Sequence, residues 1–242
     1  MTKFRRRWLG GILLSFLLNF QVAKAQQLIG TTGLMNIPTA EMKPAATFDG
    51  GVRYLQKEVT GGVYSFHTGL YYVSFTPFDF VELTFRETLL KTQHSVTKRM
   101  GYYQQDRSTS IRVRPLAERE QRWWPSIVVG VNDIYSAYGD SPYTSVYGVV
   151  TKHLDFLQAD GWALTLGYAA PFKAGKMYDG LFAGVDYRPF RKYDLHLTAE
   201  YDTYGVNIGL KGCFWKSLNV FAYTQEFKGV ALGISYQHTI KF

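Results

Sequence analysis

Cysteine is nearly missing from this chain: Cys213 stands alone, so no internal disulfide can form, and no cysteine sits near the N-terminus to accept a lipid. The histidines at 67, 94, 153, 196 and 238 show no ligand-like spacing, which leaves no metal site to propose, and nothing calls for a cofactor. Past the first 25 residues no run approaches 18 apolar residues, so helical membrane spans are excluded. Positive charge is also scarcer than the formal +8 suggests. Lys3, Arg5, Arg6, Arg7 and Lys24 lie in the first 25 residues with no acidic residue among them, and taking those five from +8 leaves +3. No Lys/Arg cluster remains to neutralise a phosphate track, which argues against nucleic acid as a partner.

Those first 25 residues read as a cleaved secretory signal peptide. A basic start precedes the apolar run WLGGILLSFLLNF from Trp8 to Phe20, and Ala23-Lys24-Ala25 supplies a small-residue cleavage site. The run is too short to span a bilayer, which takes about 20 residues. Residues 26–46 contain Pro38 and Pro44 and lack sustained alternation. They form an extended segment that either enters the barrel described next as a plug or lies below it.

What the chain does have is aromatic residues, 17% of the total with 18 Tyr and 17 Phe, together with 23 Gly and a pervasive period of two. Trp162, Leu164, Leu166 and Tyr168 share one face against Ala163, Thr165 and Gly167. Leu181, Ala183, Val185 and Tyr187 oppose Phe182, Gly184 and Asp186, and the last segment alternates from Val230 to Phe242. Twelve segments of roughly ten residues, the strand length of a tilted membrane barrel, are expected near 47–57, 64–76, 78–88, 107–116, 125–135, 143–154, 161–170, 180–189, 193–202, 204–214, 217–225 and 229–242. The expected fold is all-β: an antiparallel up-and-down transmembrane barrel over residues 47–242, in the outer membrane of a Gram-negative bacterium. A soluble sandwich or lipocalin-like barrel also alternates. Here, however, the apolar face suits lipid, while the opposite face is small and polar.

An even strand count puts both ends of the wall on one side. The turns TPFDF, HLDFLQADG, RPFRKYD and CFWKS read as periplasmic; YSAYGDSP and APFKAGKMYDG read as extracellular. The connection near 89–106 is expected to be an extracellular loop long enough for a lid or docking surface. Lys173, Lys176 and Tyr178 offer contacts to an anionic polysaccharide or lipopolysaccharide, or simply a solvated loop.

Alternation directs Glu82 and Arg86 into the lumen, opposite Val81, Leu83 and Phe85, along with Arg112, Arg114, Asp186, His196, Glu200 and Lys211. Such a set either binds sugar hydroxyls and selects ions or pairs internally, and a twelve-stranded interior is narrow enough to favour pairing. Glu200 and Lys211, on neighbouring strands, are expected to pair. No catalytic group is assigned. Ser65 and His67 fall two apart on one face of an expected strand, but a Ser-x-His pair is common by chance and has no orienting partner.

Five stretches, GTTGLMNIPTAEM at 30–42, WPSIVVGVNDI at 124–134, GLFAGVDYRPF at 180–190, LTAEYDTY at 197–204 and VNIGL at 206–210, resemble the YjbH-like family of outer-membrane proteins associated with exopolysaccharide production. ISYQHTIKF, ending on Phe242, resembles the terminal strand by which outer-membrane barrels are recognised for assembly. The resemblance implies involvement in making, exporting or anchoring an extracellular polysaccharide; taken with the residues, the expectation is a non-enzymatic barrel supporting exopolysaccharide or capsule biosynthesis or export, with a small-solute porin as the alternative and a membrane hydrolase as the distant one. Its implied partners are outer-membrane lipid and lipopolysaccharide, an exopolysaccharide with its export machinery, and the assembly machinery through the last strand. It carries over no catalytic residues.

Overall fold

A computed structural model describes residues 27–118, 123–137, 141–154, 161–173, 177–190 and 193–241. The expected signal peptide, Lys176 and Phe242 lie outside these residues, as does most of HLDFLQADG. Among them, twelve strands form one closed antiparallel barrel in sequence order, β1 meeting β12. The strands are β1 Thr47–Leu55, β2 Thr68–Phe78, β3 Val81–Gln93, β4 Met100–Leu116, β5 Ser126–Ser136, β6 Ser145–Leu154, β7 Trp162–Pro171, β8 Gly180–Tyr187, β9 Leu195–Tyr201, β10 Val206–Phe214, β11 Leu218–Gln225 and β12 Gly229–Thr239. β1 begins and β12 ends at the same mouth, called proximal here, and the opposite mouth is distal. No described helix is long and apolar enough to cross a membrane.

The alternation read from the sequence has a physical counterpart. On β7, Leu164, Leu166 and Tyr168 are exposed while Thr165 and Ala169 are buried; on β12, Val230, Leu232, Ile234 and Tyr236 are exposed and Ala231, Ser235 and Gln237 buried. An apolar belt of this kind encircles the wall, far beyond what a water-soluble surface carries. Aromatic rings mark its edges. Near the proximal mouth Phe48 stacks on Phe75 at 4.3 Å, Trp123 on Trp124 at 4.5 Å and Trp162 on Tyr187 at 4.4 Å. Near the distal mouth Tyr54, Tyr71, Tyr168 and Tyr201 are exposed. Two aromatic girdles around an apolar band are the surface of an outer-membrane-type barrel.

Three expectations about the distal end need correction, the first at Tyr178, which is buried and packs inward instead of meeting solvent or an external polysaccharide. The connection at 89–106 is not a loop: β3 runs to Gln93 and β4 starts at Met100, pairing up to Gln93↔Met100 past a bulge at Leu90/Lys91. Strands that have left the lipid need no apolar face, so the pairing continues after the alternation has faded. Ser65 and His67 are not on a strand either. They precede β2, both exposed, and His67 Nδ1 accepts the Lys57 N–H at 3.1 Å.

Residues 27–46 lie inside the wall. Every residue from Gln27 to Ala40 is buried. Leu28 and Met35 pack with Leu55, Val59, Leu70, Tyr72, Phe221 and Tyr223, while Ile29, Leu34, Ile37 and Ala40 pack with Val128, Tyr147, Phe182 and the distal-connection residues Tyr64, Tyr143 and Tyr178. Inward glycines make room: a Cβ on Gly184 would overlap Leu34 and lie 2.9 Å from Ile37 Cδ1, and one on Gly209 would collide with Met35 Sδ. The segment folds back on itself, with Leu28 N–H donating to Met35 O at 2.6 Å and Gly33 bridging to Pro38.

Candidate functional site

The wall grips the buried segment mainly by its backbone, at two places. On β3 and β4, Glu82 and Arg112 are directly opposed and both wholly buried. Glu82 accepts the Thr32 N–H at 2.8 Å and the Thr32 hydroxyl. Arg112 donates to the Thr32 carbonyl through Nη1 and to the Thr39 and Glu41 carbonyls through Nη2, the latter two at 2.6 Å. Thr32 is therefore held at both poles of its peptide groups, and the planar guanidinium gathers three carbonyls that a helix or sheet would otherwise satisfy.

The second grip is on β9. Glu200 accepts N–H groups from Met35 at 3.0 Å, Asn36 at 2.6 Å and Ile37 at 3.4 Å, and the Asn207 amide at 2.9 Å. Just beyond β9, Asp202 accepts the amides of Asn36 at 2.6 Å and Asn207 at 2.8 Å, and the N–H of Gly205 at 3.0 Å. Successive backbone N–H groups aimed at one carboxylate reproduce the geometry by which proteins bind anions. Here the anion belongs to the wall and the amides to the segment.

Further ties run toward the proximal mouth. Ala40 N–H donates to Thr151 Oγ1 at 2.8 Å, and Lys43 pairs with Asp49 at 2.5 Å. His153, at the end of β6, lies between Glu41 of the segment at 3.1 Å and Glu118 of the β4–β5 connection at 2.6 Å, with Lys152 also on Glu118. Partial burial alone would raise the Glu118 carboxyl. Hydrogen bonds from Lys152 and His153 outweigh that and hold it below the ordinary carboxylate range.

The remaining residues singled out from sequence fall into pairs. Arg86 meets Asp133 at 2.6 Å and lies over the Tyr143 ring at 4.6 Å, with Ser141 on the same carboxylate. Burial pushes the Tyr143 hydroxyl, in the distal β5–β6 connection, up to about 12, so it stays neutral. Lys211 pairs with Asp186 at 2.5 Å, and His196 lies between Asp186 at 2.8 Å and Asp194 at 2.9 Å. Arg114 is half-buried at the proximal rim, its Nη2 donating to Asp79 O at 2.6 Å.

The expected Glu200–Lys211 pair does not form. Register sets Glu200 opposite Asn207 and Lys211 opposite His196, so the two sites are separated by four residues along β10, or roughly 13 Å. Arg53 also escaped the sequence reading: buried on β1, it sits 4.2 Å over the Phe221 ring and donates to the Tyr72 hydroxyl, which donates to Asp49. Its inward position is legible from the alternation Val52, Arg53, Tyr54; its partners are not. Among the described residues, no group of three or more His, Cys, Asp and Glu is placed to hold a metal ion.

A family model described as "Exopolysaccharide biosynthesis protein YbjH", of the YjbH family, matches residues 25–239. No curated protein matches the chain. Among solved structures the fold is similar to a KdgM porin, with 11% identity, a TM-score of 0.47 and coverage of 81% of this chain and 99% of that one. It is similar also to a KdgM porin in complex with disordered oligogalacturonate (12% identity, TM-score 0.48, 81% and 99%). A third is the Salmonella typhi outer membrane phospholipase (OMPLA) dimer with bound calcium (9% identity, TM-score 0.37, 83% and 93%). At these identities the likeness is one of fold alone.

Proposed function

The chain belongs to the YjbH family, and on that premise we propose that it is a non-enzymatic outer-membrane barrel that supports the synthesis or export of an exopolysaccharide, its proximal mouth toward the periplasm and its resting lumen closed by residues 27–46. The observation that carries this reading over an open small-solute pore is the burial of the whole stretch Gln27–Ala40 within the wall. A free diffusion path needs solvated inward side chains, and those of Glu82, Arg86, Arg112 and Glu200 are shielded from water by the segment and by one another.

The non-enzymatic part is supported by the use to which the polar groups are put. The inward carboxylates of the two grips accept backbone N–H groups, side-chain amides and the Thr32 hydroxyl, an arrangement that holds a chain in place. Partners in this reading are lipid and lipopolysaccharide around the belt, the polysaccharide and its export machinery at the mouths, and the assembly machinery through β12.

Deletion of the gene tests it. The expected result is reduced or altered surface polysaccharide with small-solute uptake unchanged. Normal polysaccharide with impaired uptake would replace this reading with the porin one, which the polar inner wall favours.

A further inference from the structure

The two grips differ in what they leave behind if the segment departs. Glu82 and Arg112 are opposed across β3 and β4, yet Glu82 accepts from Thr32 and Arg112 donates to the carbonyls of Thr32, Thr39 and Glu41. Freed of the segment, a carboxylate and a guanidinium already facing each other on paired strands have a partner at hand, which lowers the cost of departure. Glu200 and Asp202 have no such recourse. They are two carboxylates served by amides and N–H groups, several of which belong to the segment.

The wall as a whole shares this bias. Among the described residues its buried ionisable side chains, leaving histidine aside, comprise seven Asp or Glu and four Lys or Arg; the segment's own Lys43 would leave with it. An emptied lumen would therefore carry a net negative field in a low-dielectric tube, which concentrates cations and repels anions.

We propose that residues 27–43 are a displaceable occupant of the lumen, that Glu82 and Arg112 pair with each other when the segment leaves, and that the passage so opened admits cations and neutral solutes in preference to anions. This rests on the membrane-barrel reading above but not on the polysaccharide role. The segment is held by hydrogen bonds to its main chain, by a few side-chain ties and by apolar packing, and none of its residues belongs to a strand of the wall, so withdrawal breaks no strand pairing there. Glu82–Arg112 is the bistable element, satisfied in both states, and Glu200–Asp202 supplies the preference for the closed one.

Single-channel recording of the full mature chain in planar lipid bilayers under a KCl gradient tests each part. The wild type is expected to be closed most of the time. Glu200→Gln, which weakens one grip, and Gly184→Val, which crowds Leu34 and Ile37 and presses on the Cβ of Glu200 beside them, are each expected to raise the open fraction about tenfold or more. The reversal potential should lie toward that of potassium, and Glu82→Gln with Arg112→Met should shorten the openings by removing the substitute pair. Should either variant fail to fold, urea at a concentration that leaves the wild-type folded gel band intact provides another arm, since the segment should yield before the wall. Silent bilayers from folded variants and from the urea arm overturn displacement, and openings that favour chloride overturn the selectivity. A gene deletion without polysaccharide phenotype would remove the proposed role and leave these recordings standing.

Discussion

Glu82 with Arg112, and Glu200 with Asp202, hold the same buried segment a few residues apart, but one site joins opposite charges and the other like charges. At the first, each wall residue partly neutralises the other, so the site is balanced with or without the segment. At the second, the backbone N–H groups of Met35, Asn36 and Ile37 provide most of the compensation. The difference teaches that two sites with similar hydrogen-bond inventories can have opposite dependence on their occupant, because the charge left uncompensated decides the cost.

The largest effect is expected at Arg112. Arg112→Met leaves Glu82 buried without its opposed charge and three segment carbonyls without a donor, and should destabilise the folded barrel by roughly 3–5 kcal/mol, read from thermal loss of the folded gel band. Glu200→Gln keeps an acceptor and relieves repulsion with Asp202, so its cost should be smaller, roughly 1–3 kcal/mol. The reverse order would mean that the like-charged site dominates the hold on the segment.

Double-mutant cycles sharpen the contrast. Glu82→Gln with Arg112→Met should cost less than the sum of the singles by about 1–3 kcal/mol, as members of one network do. Glu200→Gln with Lys211→Met should be additive to within about 0.5 kcal/mol, since Lys211 is committed to Asp186. The smallest effect belongs to the proximal mouth. Glu118→Gln should cost less than about 1 kcal/mol at neutral pH, as partly exposed ion pairs do. Because the folded state holds the Glu118 carboxyl low, its contribution is present at neutral pH and lost as pH falls through that depressed value. The acid sensitivity of the wild type should accordingly exceed that of the variant.

Much of the wall was legible in the sequence because lipid imposes a strict period on the outer face: Leu164, Leu166 and Tyr168 identify β7 with no knowledge of its neighbours. The signal stops where lipid stops. Lys91, Thr92 and Gln93 continue β3 beyond the belt with polar residues throughout, which reads as a loop. Likewise, alternation turns Glu200 and Lys211 inward but says nothing about register, and register separates them. The lodging of residues 27–40 was least legible. Its holds are mainly on main-chain N–H and C=O groups, which almost every residue carries and which leave little mark in side-chain identity.

The seam where β1 meets β12 has a consequence for the order of assembly. Thr47 and Thr239, whose hydroxyls lie 2.8 Å apart there, are 192 residues apart in sequence, so this is the contact with the heaviest loop-closure penalty and the one that must wait for the last strand. The segment is tethered to β1, one of the two strands of this seam. It is thus in hand throughout the interval when the wall is an open, curling sheet, and its contacts with β3, β4, β6 and β9 bring the concave side together before the final pairing is available. The closing of the cylinder is then the shutting of a wall around a guest already seated, and a chain lacking residues 27–40 should reach the closed form more slowly even where its finished wall is sound.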